Sequence, residues 1–275
     1  MKSKPSPTDL TLLEIGLQYV DIGWNNLTVV SVRHIGVDEC VELVRRAPRL
    51  EAITLEAIDG SSSIFPMSDT RIVHPHLRSL EIWDIWDINE DCLVAAILDS
   101  VCLPSLEQWT HDRSPYPLGN MISFIGCSSS CLKTLKFDMK MVDYRPVTRL
   151  LHHSPSLEFL VLRIGAGSPS DPADELLNVL CASARSPQFF PCLQPLEIIR
   201  ASTSFPGKTV PQIFALSHWQ SLKVKINIRH ADYLHMREFM VPFQELVDKG
   251  FDLIIVGHGE TDLLQEHMWH SGMCK

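Results

Sequence analysis

Leu50-Glu-Ala-Ile53-Thr-Leu55 is the stretch from which the rest of the chain can be read. Its apolar residues occupy the first, fourth and sixth places, the last two separated by one residue, as in a strand that buries one face. The spacing returns in Leu77-Arg-Ser-Leu80-Glu-Ile82, Leu132-Lys-Thr-Leu135-Lys-Phe137 and Leu157-Glu-Phe-Leu160-Val-Leu162. Looser copies are Leu27-Thr-Val-Val30-Ser-Val32, Leu106-Glu-Gln-Trp109-Thr-His111, Leu193-Gln-Pro-Leu196-Glu-Ile198 and Trp219-Gln-Ser-Leu222-Lys-Val224. The first positions (27, 50, 77, 106, 132, 157, 193 and 219) are separated by 23, 27, 29, 26, 25, 36 and 26 residues. A repeat of about 20–29 residues with this pattern supplies one strand and one helical or irregular return, which is the leucine-rich repeat.

The segments between the copies have helical spacing. Val37, Cys40, Val41, Val44 and Ala47 form one apolar stripe, with Asp38 and Glu39 in the first turn and Arg45 and Arg46 in the last, as the helix dipole favours. Pro48 then stops the helix. Leu118, Met121, Ile122 and Ile125 predict a second helix ending near Gly126, and Val147, Leu150 and Leu151 a third. Asp171-Pro172 opens a fourth, with Leu176, Leu177 and Leu180 on its face. The 36-residue step after Leu157 holds two Gly/Ser/Pro-rich loops. At the N-terminal end, Leu10-Thr-Leu-Leu13-Glu-Ile15 reads as a degenerate copy 17 residues before Leu27. At the other end, Met236 to Val247 reads as a helix offset by Pro242, Phe251 to Val256 as a buried strand and Thr261 to Met268 as a closing helix. Three residues after the sixth position, where many such repeats place Asn or Cys, stand Ile35, Ile58, Ile85, Ser114, Lys140 and Gly165, so an irregular array is expected.

The expected fold is therefore an α/β leucine-rich repeat solenoid, with a curved parallel sheet on the concave face and helices on the convex face. It is read as one domain over residues 1–275 with about eight to ten repeats, residues 1–9 disordered and 230–275 forming a C-terminal cap. The net charge of −9 and the absence of any Lys/Arg run longer than two argue against nucleic-acid binding, which needs clustered positive charge. Eight scattered cysteines without a Cys-x-x-Cys pair suit free thiols in a reducing compartment, cytoplasmic or nuclear. The first residues lack the apolar stretch of a secretion signal, and no apolar run approaches the ~20 residues of a membrane span.

Trp24-Asn-Asn-Leu-Thr-Val-Val30 followed by Gly36-Val-Asp-Glu-Cys-Val-Glu-Leu-Val-Arg-Arg-Ala-Pro-Arg-Leu50 resembles the repeat region of fungal F-box proteins, especially the expanded mushroom-type family. Leu103-Pro-Ser-Leu-Glu107, Ser154-Pro-Ser-Leu-Glu158 and Val241-Pro-Phe-Gln-Glu-Leu-Val-Asp-Lys-Gly250 are similar to the same family, and the resemblance runs over nearly the whole chain. It implies repeats that present a substrate to a cullin–RING ubiquitin ligase, joined to the ligase through an F-box that docks on a Skp-type adaptor. Residues 1–9 are too few for an F-box, so adaptor binding is not carried over to any residue, and a fragment or a repeat-only relative is expected.

Side chains alternating with the inward positions face the concave side. The candidate partner-binding residues there are Arg33, Glu56, Glu81, Trp83, Thr110, Asp112, Lys136, Asp138, Phe159 and Arg163. Trp83 is singled out because Trp and Arg dominate interface hot spots; the alternative is that it lies under a loop while Trp86 packs on the next turn. Glu56, Glu81, Asp112 and Asp138 would make part of the face acidic, suited to a basic segment or simply solvated. No catalytic residue, cofactor or metal site is expected. Gly257-His-Gly259 lacks the rest of a phosphate cradle and reads as a turn. His152-His153, His74-Pro-His76 and His267-x-x-His270 lack the further ligands a metal needs, and Cys127 and Cys131 read as packing at a helix end. The reading is a non-enzymatic protein-recognition module; the alternatives are a repeat scaffold unrelated to ubiquitination and, third, a metal-dependent hydrolase.

Overall fold

A computed structural model describes residues 4–67, 70–83, 90–112, 117–128, 131–139, 145–164, 172–183, 192–200, 209–215, 223–228, 233–256 and 262–264. The chain forms two compact units, Met1–Thr134 and Leu135–Lys275.

In the first unit five strands lie side by side in chain order: β1 (Asp9–Leu13), β2 (Val29–Gly36), β3 (Ala52–Asp59), β5 (Ser79–Trp83) and β7 (Gln108–His111). Every adjacent pair is parallel. A separate short parallel pair joins β4 (Ile72–Val73) to β6 (Val101–Cys102). The returns carry helices α1 (Val37–Arg46), α2 (Glu90–Ser100) and α3 (Leu118–Ser128), each packed against the next. The register aligns Leu10, Val30, Ile53, Leu80 and Trp109 in one inward row and Leu12, Val32, Leu55, Ile82 and His111 in another. The α1 stripe expected from spacing, Val37, Cys40, Val41, Val44 and Ala47, is buried throughout. Each side chain of Val or Leu size that is buried this way stabilises by about 1.5–3 kcal/mol, more than the helix propensity of these β-branched residues loses.

One hydrogen-bond pattern sets the register five times. The carbonyl at the second repeat position accepts from two successive amides of the next repeat: Thr8 O from Thr28 and Val29, Thr28 O from Glu51 and Ala52, Glu51 O from Arg78 and Ser79. Arg78 O does so for Glu107 and Gln108, and Glu107 O for Lys133 and Thr134. These bonds hold successive repeats together where the Asn ladder of other repeats is missing. In the ladder positions, Ile35 and Ile58 are buried and aligned with each other, so apolar packing takes that place.

The pattern also corrects the frame of the first repeat. Leu10 and Leu12 occupy its fourth and sixth positions, and Leu13, expected to point inward, is 60% exposed. Several leucines in succession permit both frames; the pairing of Thr8 with Thr28 selects one. The 17-residue return becomes one of 20 residues, counted from Pro7 to Leu27, made of two 3-10 turns, Leu17–Tyr19 and Trp24–Asn26. Residues 4–6 make contacts with the first return. Gly23 N donates to Pro5 O, Asn26 Nδ2 donates to Ser6 Oγ, and Lys4 pairs with Asp21. Helix α3 likewise runs past Gly126 to Ser128, and its buried side is Met121, Phe124, Ile125 and Ser128.

Glu14, His34 and Ala57 follow equivalent strand positions and share a left-handed backbone, with φ of 58°, 55° and 48°. This conformation costs a non-glycine residue about 1–2 kcal/mol. Glu14 is exposed, which isolates the backbone effect from packing. Glu14→Gly is expected to hold or raise stability, offset in part by unfolded-chain entropy, while Glu14→Val lowers it by about 1 kcal/mol. Urea melts of the three proteins would show the order Gly, Glu, Val; Val equal to Gly would contradict the strained turn.

The second unit repeats the scheme with β8 (Thr134–Met139, its first residue closing the first unit), β9 (Phe159–Ile164), β10 (Pro195–Arg200), β11 (Lys223–Ile228) and β12 (Leu253–Val256), again neighbours in chain order. Pairing from β9 to β12 is parallel throughout. Its helices are α4 (Arg145–His152), α5 (Pro172–Ser183), α6 (Val210–Phe214) and α7 (Tyr233–Asp248). Leu150, Leu151, Leu176, Leu177 and Leu180 are buried as expected, and Pro242 lies inside α7. Asp262 bridges antiparallel to Val256, and Leu263 and Leu264 are buried. Gly257-His-Gly259 and His267-x-x-His270 fall outside the described residues. Parallel strands in chain order, with helical returns at this period, make the fold an α/β leucine-rich repeat solenoid.

Candidate functional site

The candidate surface is the sheet face opposite the helices. In the first unit one outward row is Leu13, Arg33, Glu56 and Trp83, adjacent in register across four strands. Arg33 is exposed, and Glu56 and Trp83 are half-buried. The neighbouring row is Thr11, Ser31, Thr54, Glu81 and Thr110. Trp83 Nε1 donates to Glu81 Oε2 at 3.0 Å. That bond joins the two rows, orients the indole and satisfies its only polar group. The result is an apolar plate with a carboxylate beside it and Glu56 and Arg33 further along the row. Asp112 is half-buried and its backbone N–H continues the ladder to Ile82 O.

Thr110 corrects the expectation. It belongs to the outward row, in register with Glu81, but is 7% exposed. It does not form part of an accessible surface. Leu13 was missed as a face residue; the frame of the first repeat is the signal that would have found it. Val29, in the next outward row, is also exposed.

In the second unit Lys136 is exposed on β8, and Phe159 and Arg163 are half-buried on β9. Arg163 aligns with Ile199 and Asn227. The side chain of Asp138 lies outside the described residues, so the acidic stripe can be traced only through Glu56, Glu81 and Asp112.

Several polar groups singled out in the sequence are structural. Leu77 N donates to His74 Nδ1 at 3.1 Å, which leaves His74 Nε2 protonated to donate to Ala47 O at 2.9 Å. Both ring nitrogens are engaged, and burial pushes the His74 pKa down, so it is a neutral clamp between repeats and not a metal ligand. Among the described residues no three His, Cys, Asp or Glu side chains gather as a metal ion requires. Nor is any helix among them long and apolar enough to cross a membrane.

Asp38 and Glu39, read as dipole charges, do more. Glu39 Oε2 accepts from Gly36 N at 3.1 Å and Oε1 from Leu17 N at 2.7 Å. Asp38 accepts from Ser62 N and Oγ, both at 2.7 Å, and from Ile64 N and Phe65 N at 3.2 and 3.1 Å. Burial alone would raise the Asp38 pKa; the bonds from Phe65 and Ser62 outweigh it and hold the carboxyl below its ordinary value. Arg46 stacks over Phe65 at 5.1 Å and Trp24 at 5.9 Å, fixing the same loop from its other side. Asp38→Ala leaves several amides without their acceptor and is expected to destabilise by about 2 kcal/mol. Limited proteolysis should then cut first between residues 61 and 67; an unchanged cleavage pattern would show that the loop does not depend on Asp38.

No protein-family model matches the sequence, and no curated protein does. Among solved structures the chain is similar to one in a TLR13–ssRNA13 complex, at 14% identity and a TM-score of 0.35. The match covers 75% of this chain and 36% of that one, so the chain spans little more than a third of that protein's length. The fold assignment rests on strand order and the recurring carbonyl pattern.

Proposed function

We propose that the chain is a non-enzymatic recognition module that binds a protein segment on the open sheet face, centred on Arg33, Glu56, Glu81 and Trp83. The observation that carries this is the oriented, half-buried indole of Trp83 with Glu81 bonded to it. An aromatic anchor of this kind, flanked by charge, is the usual nucleus of an interface hot spot. The two carboxylates favour a segment carrying Lys or Arg. Lys136, Phe159 and Arg163, on the second unit, form a separate candidate contact set of their own. The resemblance to mushroom-type F-box repeats supports a finer reading, in which the bound segment belongs to a ubiquitination substrate. On that reading a Skp-type adaptor is reached only through an F-box outside residues 1–275.

The test compares the wild-type chain with Trp83→Ala/Arg33→Glu and with the helix-face variant Arg45→Glu, as baits in cells of origin. The reading expects a partner that is lost at least tenfold with the double variant (about 1.4 kcal/mol or more) and kept with Arg45→Glu. Equal recovery by all three baits would overturn it. Co-recovery of a Skp-type adaptor by the native full-length product separates the ubiquitination reading from a free-standing scaffold.

A further inference from the structure

Away from the open face, a guanidinium and two thiols meet where two successive repeats join. Arg71 precedes β4 and reaches across to α3. Its Nη1 donates to Cys127 Sγ at 3.3 Å. The rest of the guanidinium is fixed: Nε donates to Asp99 O at 3.0 Å, and Nη2 to Ser123 Oγ at 2.9 Å and Asp99 Oδ1 at 3.4 Å. Cys102, on β6, donates its S–H to Cys127 O at 3.0 Å and lies within hydrogen-bonding reach of the Cys127 thiol. Ser128 Oγ accepts from Leu103 N at 2.9 Å and holds the two segments together. Both cysteines are partly open to solvent.

A guanidinium has no lone pair to offer, so the sulfur of Cys127 must act as acceptor toward it. The contact puts a permanent positive charge beside a solvent-reachable sulfur, the surroundings in which thiols react with oxidants. The Cys127 S–H donates to Phe124 O at 3.2 Å, so the sulfur lone pairs stay turned to the guanidinium. Burial and the neighbouring Cys127 push the Cys102 pKa up to about 11, so Cys102 keeps its proton. A buried packing pair would need neither the charge nor access to water, and Cys40, fully buried with its pKa well above the ordinary value, shows what such a thiol looks like in this chain.

We propose that Cys127 and Cys102 form a reversible, peroxide-sensitive thiol pair that staples two consecutive repeats when oxidised. In the first step the Cys127 thiolate attacks one oxygen of a hydroperoxide; the O–O bond breaks, the sulfur becomes a sulfenic acid, and the leaving alkoxide or hydroxide takes a proton from water. In the second step the Cys102 sulfur attacks the sulfenic sulfur, its thiol proton leaves with the hydroxyl as water, and the disulfide forms. The peroxide is the oxidant; a cellular dithiol reverses the reaction by thiol–disulfide exchange.

The experiment treats the reduced, full chain with hydrogen peroxide and follows it by intact mass and non-reducing peptide mapping. The expected result is a loss of two hydrogens, a single link between Cys102 and Cys127, and reversal by dithiothreitol. Cys127 should react at least several-fold faster than the exposed Cys131 and Cys192. In Cys102→Ser the sulfenic acid has no resolving thiol and should be trapped at Cys127 by dimedone. Arg71→Met should slow that trapping several-fold. Far-UV circular dichroism establishes that each variant folds, and Cys102→Ala replaces a Cys102→Ser protein that does not. A link between other cysteines, labelling of all exposed thiols at one rate, or trapping unaffected by Arg71→Met would overturn the proposal.

Discussion

Trp109→Ala is expected to destabilise the first unit by about 3–5 kcal/mol, the largest single loss predicted for this chain. Trp109 is fully buried in the inward row whose neighbour on β5 is Leu80. Its indole meets the ring of Phe124 edge-on, with centroids 5.2 Å apart and planes at 71°, and so joins the sheet to α3 directly. Alanine would remove that contact and leave a cavity that strands on either side cannot close without breaking register. Trp109→Leu restores the residue type of the other repeats but is still too small, and a loss of about 1–3 kcal/mol is expected. Urea denaturation followed by circular dichroism measures both; a Trp109→Ala protein within 1 kcal/mol of wild type would mean that the repeat collapses around the missing ring.

Acidification is expected to produce the second large effect, through His111. This residue occupies the sixth repeat position, aligned with Ile82, where the other repeats of the unit bury Leu, Val or Ile. Burial pushes its pKa down to about 4, against 6.5 for a free imidazole, and the nearby Asp112 offsets this only in part. Above pH 6.5 both folded and unfolded chains hold a neutral ring and the residue adds no pH dependence. Between pH 6.5 and 4 only the unfolded chain takes up the proton, so stability falls as pH falls, by up to about 3 kcal/mol in total. His111→Leu should reduce the slope over that window, and the slope that remains includes the contribution of His74, whose pKa burial also lowers. Asp38 acts with the same sign but lower down: its pKa is depressed below 3.8, so its contribution is lost only as pH drops through that range. The two effects can be told apart by the pH at which each variant departs from wild type. A wild-type curve that is flat from pH 6.5 to 4 would refute the assignment for His111.

Much of this architecture is legible in the sequence because inward positions answer to one requirement, burial. Leu80, Leu135 and Leu160 can be placed by spacing alone, and α1 has the expected stripe, charges and end. The first repeat is misframed because Leu10, Leu12 and Leu13 satisfy two alternations, and only main-chain pairing decides between them. The open face is less legible for a different reason. Alternation along a strand assigns a residue to a face but does not fix its accessibility: Thr110 is covered, while Leu13 is not. The Trp83–Glu81 bond follows from two residues one step apart in an outward alternation and could have been anticipated; the Asp38 contacts with Ser62 to Phe65 span 24 to 27 residues and could not.

Glu39 sends one carboxylate oxygen back to Leu17 and uses the other to close the start of its own helix. One side chain thus holds two amides that lie 19 residues apart, Leu17 in one return and Gly36 at the start of α1. Removing the Glu39 carboxylate would leave both without their acceptor at once, so the first return and the helix of the next repeat share a single point of failure.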